Sequence, residues 1–245
     1  MTRIVNNCVA LVCLCLFWGQ SLRAADASHS EQIKWGNESV FNEEHNTLGL
    51  FSGVLGGQIV LAGGTSDDYS RWGRNAVCLS ENAGFALYED VLSKPLAYGA
   101  SITLSDGILC IGGRDSSQCY EDVFFVTMQQ GKLNVSEDWP PLPFPLSNAA
   151  GALLDNKVYL FGGRKSVSPS RLSDSFFVLD LSNKSRGWKE LPGYPGCVRE
   201  DAILVVQNNG VSPCLYLLGG QTETEEGLSS CLTDGYAVSY THLTL

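Results

Sequence analysis

Three histidines in 245 residues, and no C-x-x-C pair among nine cysteines, leave little from which to build a zinc or copper site. His29 and His45 stand early in the chain and His242 near its end. No metal or other cofactor is expected. Basic residues are also scarce, with 16 Lys and Arg against 26 Asp and Glu, for a net charge of −10. That balance repels phosphates and excludes a nucleic-acid partner. Long apolar runs are missing too. The apolar run CVALVCLCLFW (8–18) falls short of the ~20 residues that a membrane-spanning helix needs.

That run follows Arg3 and precedes the small residues Ala24, Ala25 and Ala27. A positive start, an apolar middle and a small-residue end make the pattern of a cleaved secretory signal. Residues 1–27 are therefore expected to be removed, leaving a periplasmic or secreted chain with no membrane association. Six cysteines would remain: Cys78, Cys110, Cys119, Cys197, Cys214 and Cys231. Cys110 and Cys214 sit inside apolar strand patterns and read as buried fillers. A disulfide is open to an exported chain, with Cys197–Cys214 or Cys110–Cys119 as pairs.

Glycine, by contrast, is plentiful at 26 residues. A Gly-Gly pair closes an apolar strand four times: QIVLAGG (58–64), GILCIGG (107–113), KVYLFGG (157–163) and CLYLLGG (214–220). The first glycines are Gly63, Gly112, Gly162 and Gly219, in steps of 49, 50 and 57. A period near 50 built from short strands is the signature of an all-β, kelch-type β-propeller with one blade per repeat.

Each copy reads as four antiparallel strands, A to D. Strand A is small and apolar in LGLFSGVL (48–55), LAYGASITL (96–104), LSNAAGALL (146–154) and VREDAILVV (198–206). Small residues suit a crowded propeller axis. Strand B is the run ending in Gly-Gly. Hairpin chemistry at Ser105-Asp106-Gly107 and Asp155-Asn156 joins A to B. Strand C follows Asp122, Asp174 or Asp234, whose recurrence reads as turn capping. Trp139 and Trp188, each before a proline turn, mark strand D and read as inter-blade packing. The first copy is degenerate, with strand C at 75–80 and strand D at 84–90. A lone strand D at 32–37 carries Trp35. The fourth copy stops after strand C, and VSYTHLTL (238–245) breaks the pattern. The division expected is a signal at 1–27, a partial propeller at 32–237 and a non-native tail at 238–245.

Several phrases resemble one family. LSKPLAYGASITLSDGILCIGGRDSSQCYEDVFFV (92–126) resembles the last blade of the bacterial N-acetylneuraminate (sialic acid) mutarotases, also called N-acetylneuraminate epimerases. GLFSGVLGGQIVLAGGTSD (49–67) resembles the blade before it. PLPFPLSNAAGALLDNKVYLFGG (141–163) resembles the first blade, and GYPGCVREDAILVV (193–206) opens the second. The order matches a cyclically permuted branch of the family. A ring tolerates such a move because its termini can open at any inter-blade loop. The resemblance implies six blades, of which about four are present, and a C-terminal truncation. It implies a cofactor-free isomerase that exchanges the α and β anomers of sialic acid. The family's catalytic glutamate belongs to a blade that has no counterpart here.

Antiparallel order gives the site its geometry. The D-to-A and B-to-C connections emerge on one face, so residues after each Gly-Gly and residues opening strand A share one funnel. The former are Thr65, Arg114, Arg164 and Gln221, and the latter Tyr98, Asn148, Arg199, Glu200 and Asp201. Three arginines converging on one mouth of an acidic protein suit a carboxylate. Arg199, Arg114, Arg164, Tyr98, Asn148 and Gln221 are the expected contacts of a small acidic sugar. Glu200 and Asp201 are the candidate catalytic carboxylates for ring opening by general acid–base exchange. Either carboxylate could instead pair with an arginine of the adjacent blade. The run Glu223, Glu225, Glu226 reads as solvated. The alternative function is a kelch module that binds a protein or glycan without chemistry. A copper oxidase is excluded by where the histidines fall.

Overall fold

The computed structural model describes residues 48–80, 84–224 and 227–239, all within the unit Val40–Leu245. The expected signal, the lone strand at 32–37 and residues 240–245 of the expected tail lie outside the described residues.

Four sheets stand in a β-propeller arrangement. Blade 1 is β1 (Leu48–Leu55), β2 (Gln58–Thr65), β3 (Ala76–Ser80) and β4 (Gly84–Tyr88). Blade 2 is β5 (Ala100–Thr103), β6 (Ile108–Ile111), β7 (Val123–Gln129) and β8 (Lys132–Ser136). Blade 3 begins with β9 (Ala150–Leu154) and β10 (Lys157–Phe161). A small hairpin follows, β11 (Arg164–Ser166) and β12 (Arg171–Leu172), before β13 (Phe176–Asp180) and β14 (Lys189–Leu191). Blade 4 has β15 (Ile203–Asn208) and β16 (Pro213–Leu218), a hairpin of β17 (Gln221–Glu223) and β18 (Ser229–Cys231), and then β19 (Gly235–Ser239). Neighbouring strands in each blade are antiparallel and consecutive, apart from the inserted hairpins. Blade 4 shows three strands among the described residues. β19 takes in Val238 and Ser239 of the expected tail, paired with Leu215 and Cys214.

The core is a stack of inter-blade layers. Phe51, Val60, Cys110 and Phe124 join blades 1 and 2. Ile102, Leu109, Leu160 and Phe177 join blades 2 and 3. Ala152, Tyr159, Leu204 and Leu215 join blades 3 and 4. Alternation produces this: successive side chains of one strand go to opposite neighbours. In β10, Val158 and Leu160 face blade 2, while Tyr159 and Phe161 face blade 4.

The Gly-Gly pairs are the joints. The second glycine donates its N–H to a carbonyl of the next blade: Gly64 to Leu96, Gly113 to Leu146 and Gly163 to Arg199, each at 2.8 Å. The first glycine has no room for a side chain. A Cβ on Gly112, at φ 63, would lie 2.1 Å from the Leu146 carbonyl oxygen. A positive φ with no space for a Cβ is a combination that glycine alone meets.

Strand A starts later than expected in blades 2, 3 and 4, at Ala100, Ala150 and Ile203. The preceding Tyr98, Asn148 and Asp201 hold φ of 61, 55 and 52, which no strand accommodates. Trp139 is not in strand D. β8 ends at Ser136, and Trp139 lies in the loop that leads to blade 3. It packs between blades all the same, 5.2 Å from the Phe125 ring. Trp188 just precedes β14, and its indole N–H donates to the Pro140 carbonyl at 3.0 Å.

Neither disulfide forms. Cys110 and Cys214 are buried inside β6 and β16. Cys119 is buried, with its sulfur 3.4 Å from the Ser147 hydroxyl, and Cys197 is exposed.

Candidate functional site

Residues after each Gly-Gly pair with residues that open strand A. Backbone bridges join Arg114 to Ala97, Arg164 to Ser147 and Gln221 to Glu200. One residue further on, a ladder crosses the blades near the axis. The Tyr98 N–H donates to the Gly49 carbonyl at 2.7 Å, Asn148 N–H to Tyr98 at 2.6 Å, and Asp201 N–H to Asn148 at 3.0 Å. Every rung has a left-handed backbone. The ladder presents the side chains of Tyr98, Asn148 and Asp201 beside Arg114 and Arg164.

The three arginines meet different fates. Arg199 does not line the mouth. It is 0% exposed, and its carbonyl occupies the joint that Leu96 and Leu146 occupy in the preceding blades. Its guanidinium forms a bidentate pair with Asp234, both bonds at 2.8 Å. It also donates to the Tyr194 hydroxyl at 2.7 Å and to the Gly219 carbonyl at 2.8 Å. The rings of Tyr194 and Tyr236 stand 5.0 and 5.4 Å from it. The bidentate pair with Arg199 first, and then a bond from the Tyr236 hydroxyl at 3.0 Å, pull the Asp234 carboxyl from 3.8 down to about 2. Asp234 is thus an ion-pair partner rather than a turn cap. Asp122, which pairs with Lys94 at 3.0 Å, is another.

Arg164 reaches the mouth but is neutralised there. Its Nε donates to Glu200 at 2.8 Å, and Nη2 donates to the other Glu200 oxygen. Nη1 donates to Ser170 at 2.6 Å, and Glu223 closes a second ion pair at 3.3 Å. Ser170 also donates to Glu223. Glu223 is therefore engaged rather than merely solvated. Glu200 is buried in this network, with both of its oxygens bonded to Arg164.

Arg114 has no carboxylate partner among the described residues. Its guanidinium lies 4.6 Å from the Tyr98 ring centroid, 5.2 Å from Trp72 and 6.0 Å from Tyr69. Its Nε is buried with no hydrogen-bond partner, and Nη1 reaches only the Asp115 carbonyl at 3.5 Å. Three aromatic rings hold this cation without cancelling its charge.

Asp201 stands at the mouth with one oxygen engaged, by Asn148 Nδ2 at 2.9 Å. The other Asn148 polar atom, Oδ1, is buried and unpaired. Loss of hydration raises the Asp201 pKa above the ordinary value. The Asn148 bond works against this, the Glu200 charge adds to it, and Arg164 and Arg114 pull the other way. Burial is also the first cause raising the Tyr98 hydroxyl, which stays protonated and donates to Tyr69 at 3.2 Å. The Gln221 side chain is turned to Ser229, whose hydroxyl donates to it at 2.6 Å. Among the described residues, no three His, Cys, Asp or Glu side chains gather to hold a metal ion.

The structure thus brings Tyr98, Arg114, Asn148, Arg164, Glu200 and Asp201 to one mouth and removes Arg199 from it. Sequence reasoning missed Tyr69 and Trp72. Both lie in the connection after the first Gly-Gly, TSDDYSRWGR (65–74), and the same placement rule reaches them.

This architecture is that of a kelch-type β-propeller. The Kelch motif matches residues 145–192, which span blade 3. Curated relatives extend the likeness. N-acetylneuraminate epimerase of Vibrio cholerae serotype O1 is 31% identical over 106 residues, 43% of this chain and 25% of that protein. The protein of the same name from Yersinia pestis (strain Pestoides F) is 30% identical over 103 residues, 41% of this chain and 24% of its own. That from Haemophilus influenzae (strain PittEE) is 30% identical over 101 residues, with the same shares. The matched part spans about a quarter of the length of these relatives. Among solved structures, that of YjhT superimposes with a TM-score of 0.61 at 13% identity, over 78% of this chain and 66% of that one.

Proposed function

We propose that this chain supplies part of a sialic acid mutarotase, with the mouth around Arg114 as the seat of an acidic sugar. The observation that carries the reading is Arg114: a cation at the mouth, boxed by aromatic rings, with no carboxylate partner among the described residues. Its guanidinium fork matches a substrate carboxylate. Anomer exchange needs a proton taken from the anomeric hydroxyl and one returned to the ring oxygen. Asp201, a carboxylate at the mouth whose pKa is raised and which Asn148 fixes, suits that work. The names of the relatives support the same choice of sugar.

The test is magnetisation exchange between the anomers of N-acetylneuraminate, followed by NMR. A rate no faster than buffer overturns the reading. Arg114→Ala is expected to weaken binding of N-acetylneuraminate roughly ten- to hundredfold, the worth of a charge-assisted pair.

A further inference from the structure

The four rungs of the ladder are Gly49, Tyr98, Asn148 and Asp201, at φ of 64, 61, 55 and 52. Glycine, asparagine and aspartate suit that backbone region, and a bulky tyrosine does not. A side chain kept where its backbone is disfavoured points to a use for that side chain. We propose that Tyr98 is the positioning residue that sets this site's preference for a carboxylate-bearing sugar, by fixing the Arg114 guanidinium without consuming its charge. This rests on the functional reading above.

The ring of Tyr98 is held by construction. It lies on the Gly49 backbone: a Cβ there would come within 2.9 Å of three ring atoms. The Tyr69 ring runs nearly parallel to it, 19° and 6.5 Å away, and the two hydroxyls are bonded. Trp72 closes the corner at 6.4 Å from both. Tyr69 itself sits at φ 60, a second strained aromatic in the same box. Of the three rings, Tyr98's is nearest Arg114. A neutral box leaves the full positive charge for an incoming carboxylate. Arg164, one blade away, shows the alternative, in which Glu200 takes that charge.

The test uses the full 245-residue chain with Tyr98→Gly, the residue that blade 1 carries at this rung, and Tyr98→Phe. Binding of N-acetylneuraminate is compared with binding of its methyl ester, in which a neutral ester replaces the carboxylate. The wild type is expected to favour the acid by about tenfold or more. Tyr98→Gly is expected to lose most of that preference with no fall in melting temperature, because glycine relieves the backbone. Tyr98→Phe keeps the ring and is expected to keep the preference. Unchanged selectivity in Tyr98→Gly overturns the inference, and so does a drop in melting temperature, which would make the ring a structural part. A wild type that binds neither compound overturns the functional reading, and this inference with it.

Discussion

Charge at one residue decides what that residue can do. Arg114, Arg164 and Arg199 share a chemistry, yet only Arg114 keeps a free charge, because its neighbours are rings rather than carboxylates. The same logic separates the adjacent carboxylates. Glu200 is spent on Arg164, while Asp201 has one oxygen engaged and holds its proton more tightly than an ordinary aspartate. Asp201→Asn should therefore reduce anomer exchange by roughly 10²- to 10⁴-fold. It should also abolish an acid limb of the rate–pH profile set by Asp201, whose pKa burial raises above its ordinary value. Its effect on stability has the opposite sign. A pKa raised in the folded state means that the ionised form weakens the fold above that pKa, and the penalty fades as pH falls below the unfolded value. The asparagine variant, never ionised and still able to accept from Asn148, should melt no lower than wild type at pH 7. A variant that is both inactive and less stable would show Asp201 to be a structural residue.

At the scale of an element, the segment before each strand A explains both what was legible and what was not. Antiparallel order alone puts the residues after Gly-Gly beside those that open strand A, so Tyr98, Arg114, Asn148, Arg164, Glu200 and Asp201 could be grouped from the sequence. Arg199 was misplaced because one step along such a connection turns a side chain from mouth to core. The clue lay in register. Arg199 stands two residues before the rung Asp201, as Leu96 and Leu146 stand before Tyr98 and Asn148, and both leucines are buried. The aromatic box was missed for another reason: Tyr69 and Trp72 sit in a loop with no strand period to mark it. Arg199→Ala should cost about 2 kcal/mol, leaving Tyr194 and the Gly219 carbonyl without their donor. Arg199→Leu should cost less, since leucine fills this slot in the two preceding blades. The Asp234 carboxyl is lowered from 3.8 to about 2 in the fold, so the stability it confers is complete above pH 4 and is lost as pH falls towards 2. Denaturant unfolding across that window should show a smaller acid loss in Arg199→Leu than in wild type.

The molecule as a whole is organised by its joints. The period of about 50 residues was readable because the first three Gly-Gly pairs answer a constraint that recurs at each described blade boundary, a left-handed backbone pressed on the next blade's carbonyl. The buried layers were readable because alternation along each strand assigns every apolar side chain to one neighbour or the other. Gly112→Ala should destabilise the fold by about 2–4 kcal/mol, through strain and through the collision with Leu146 that pries blades 2 and 3 apart. Gly131→Ala is the control. It too has a positive φ, but its Cβ would meet nothing within 4 Å, so only the conformational cost of ~1 kcal/mol remains. Equal losses in thermal melts of the two variants would show that contact across the boundary is not what the glycine protects.

The rungs near the axis are tied by backbone amides and carbonyls, from Gly49 through Tyr98 and Asn148 to Asp201, with one side-chain bond added between Asn148 and Asp201. The backbone bonds run unbroken from rung to rung whatever the side chain. Outside Gly49, where a Cβ would meet the Tyr98 ring, each position is thus a socket open to residues that tolerate the backbone. Ligand preference in such a scaffold can drift by single exchanges, with the surrounding architecture left untouched.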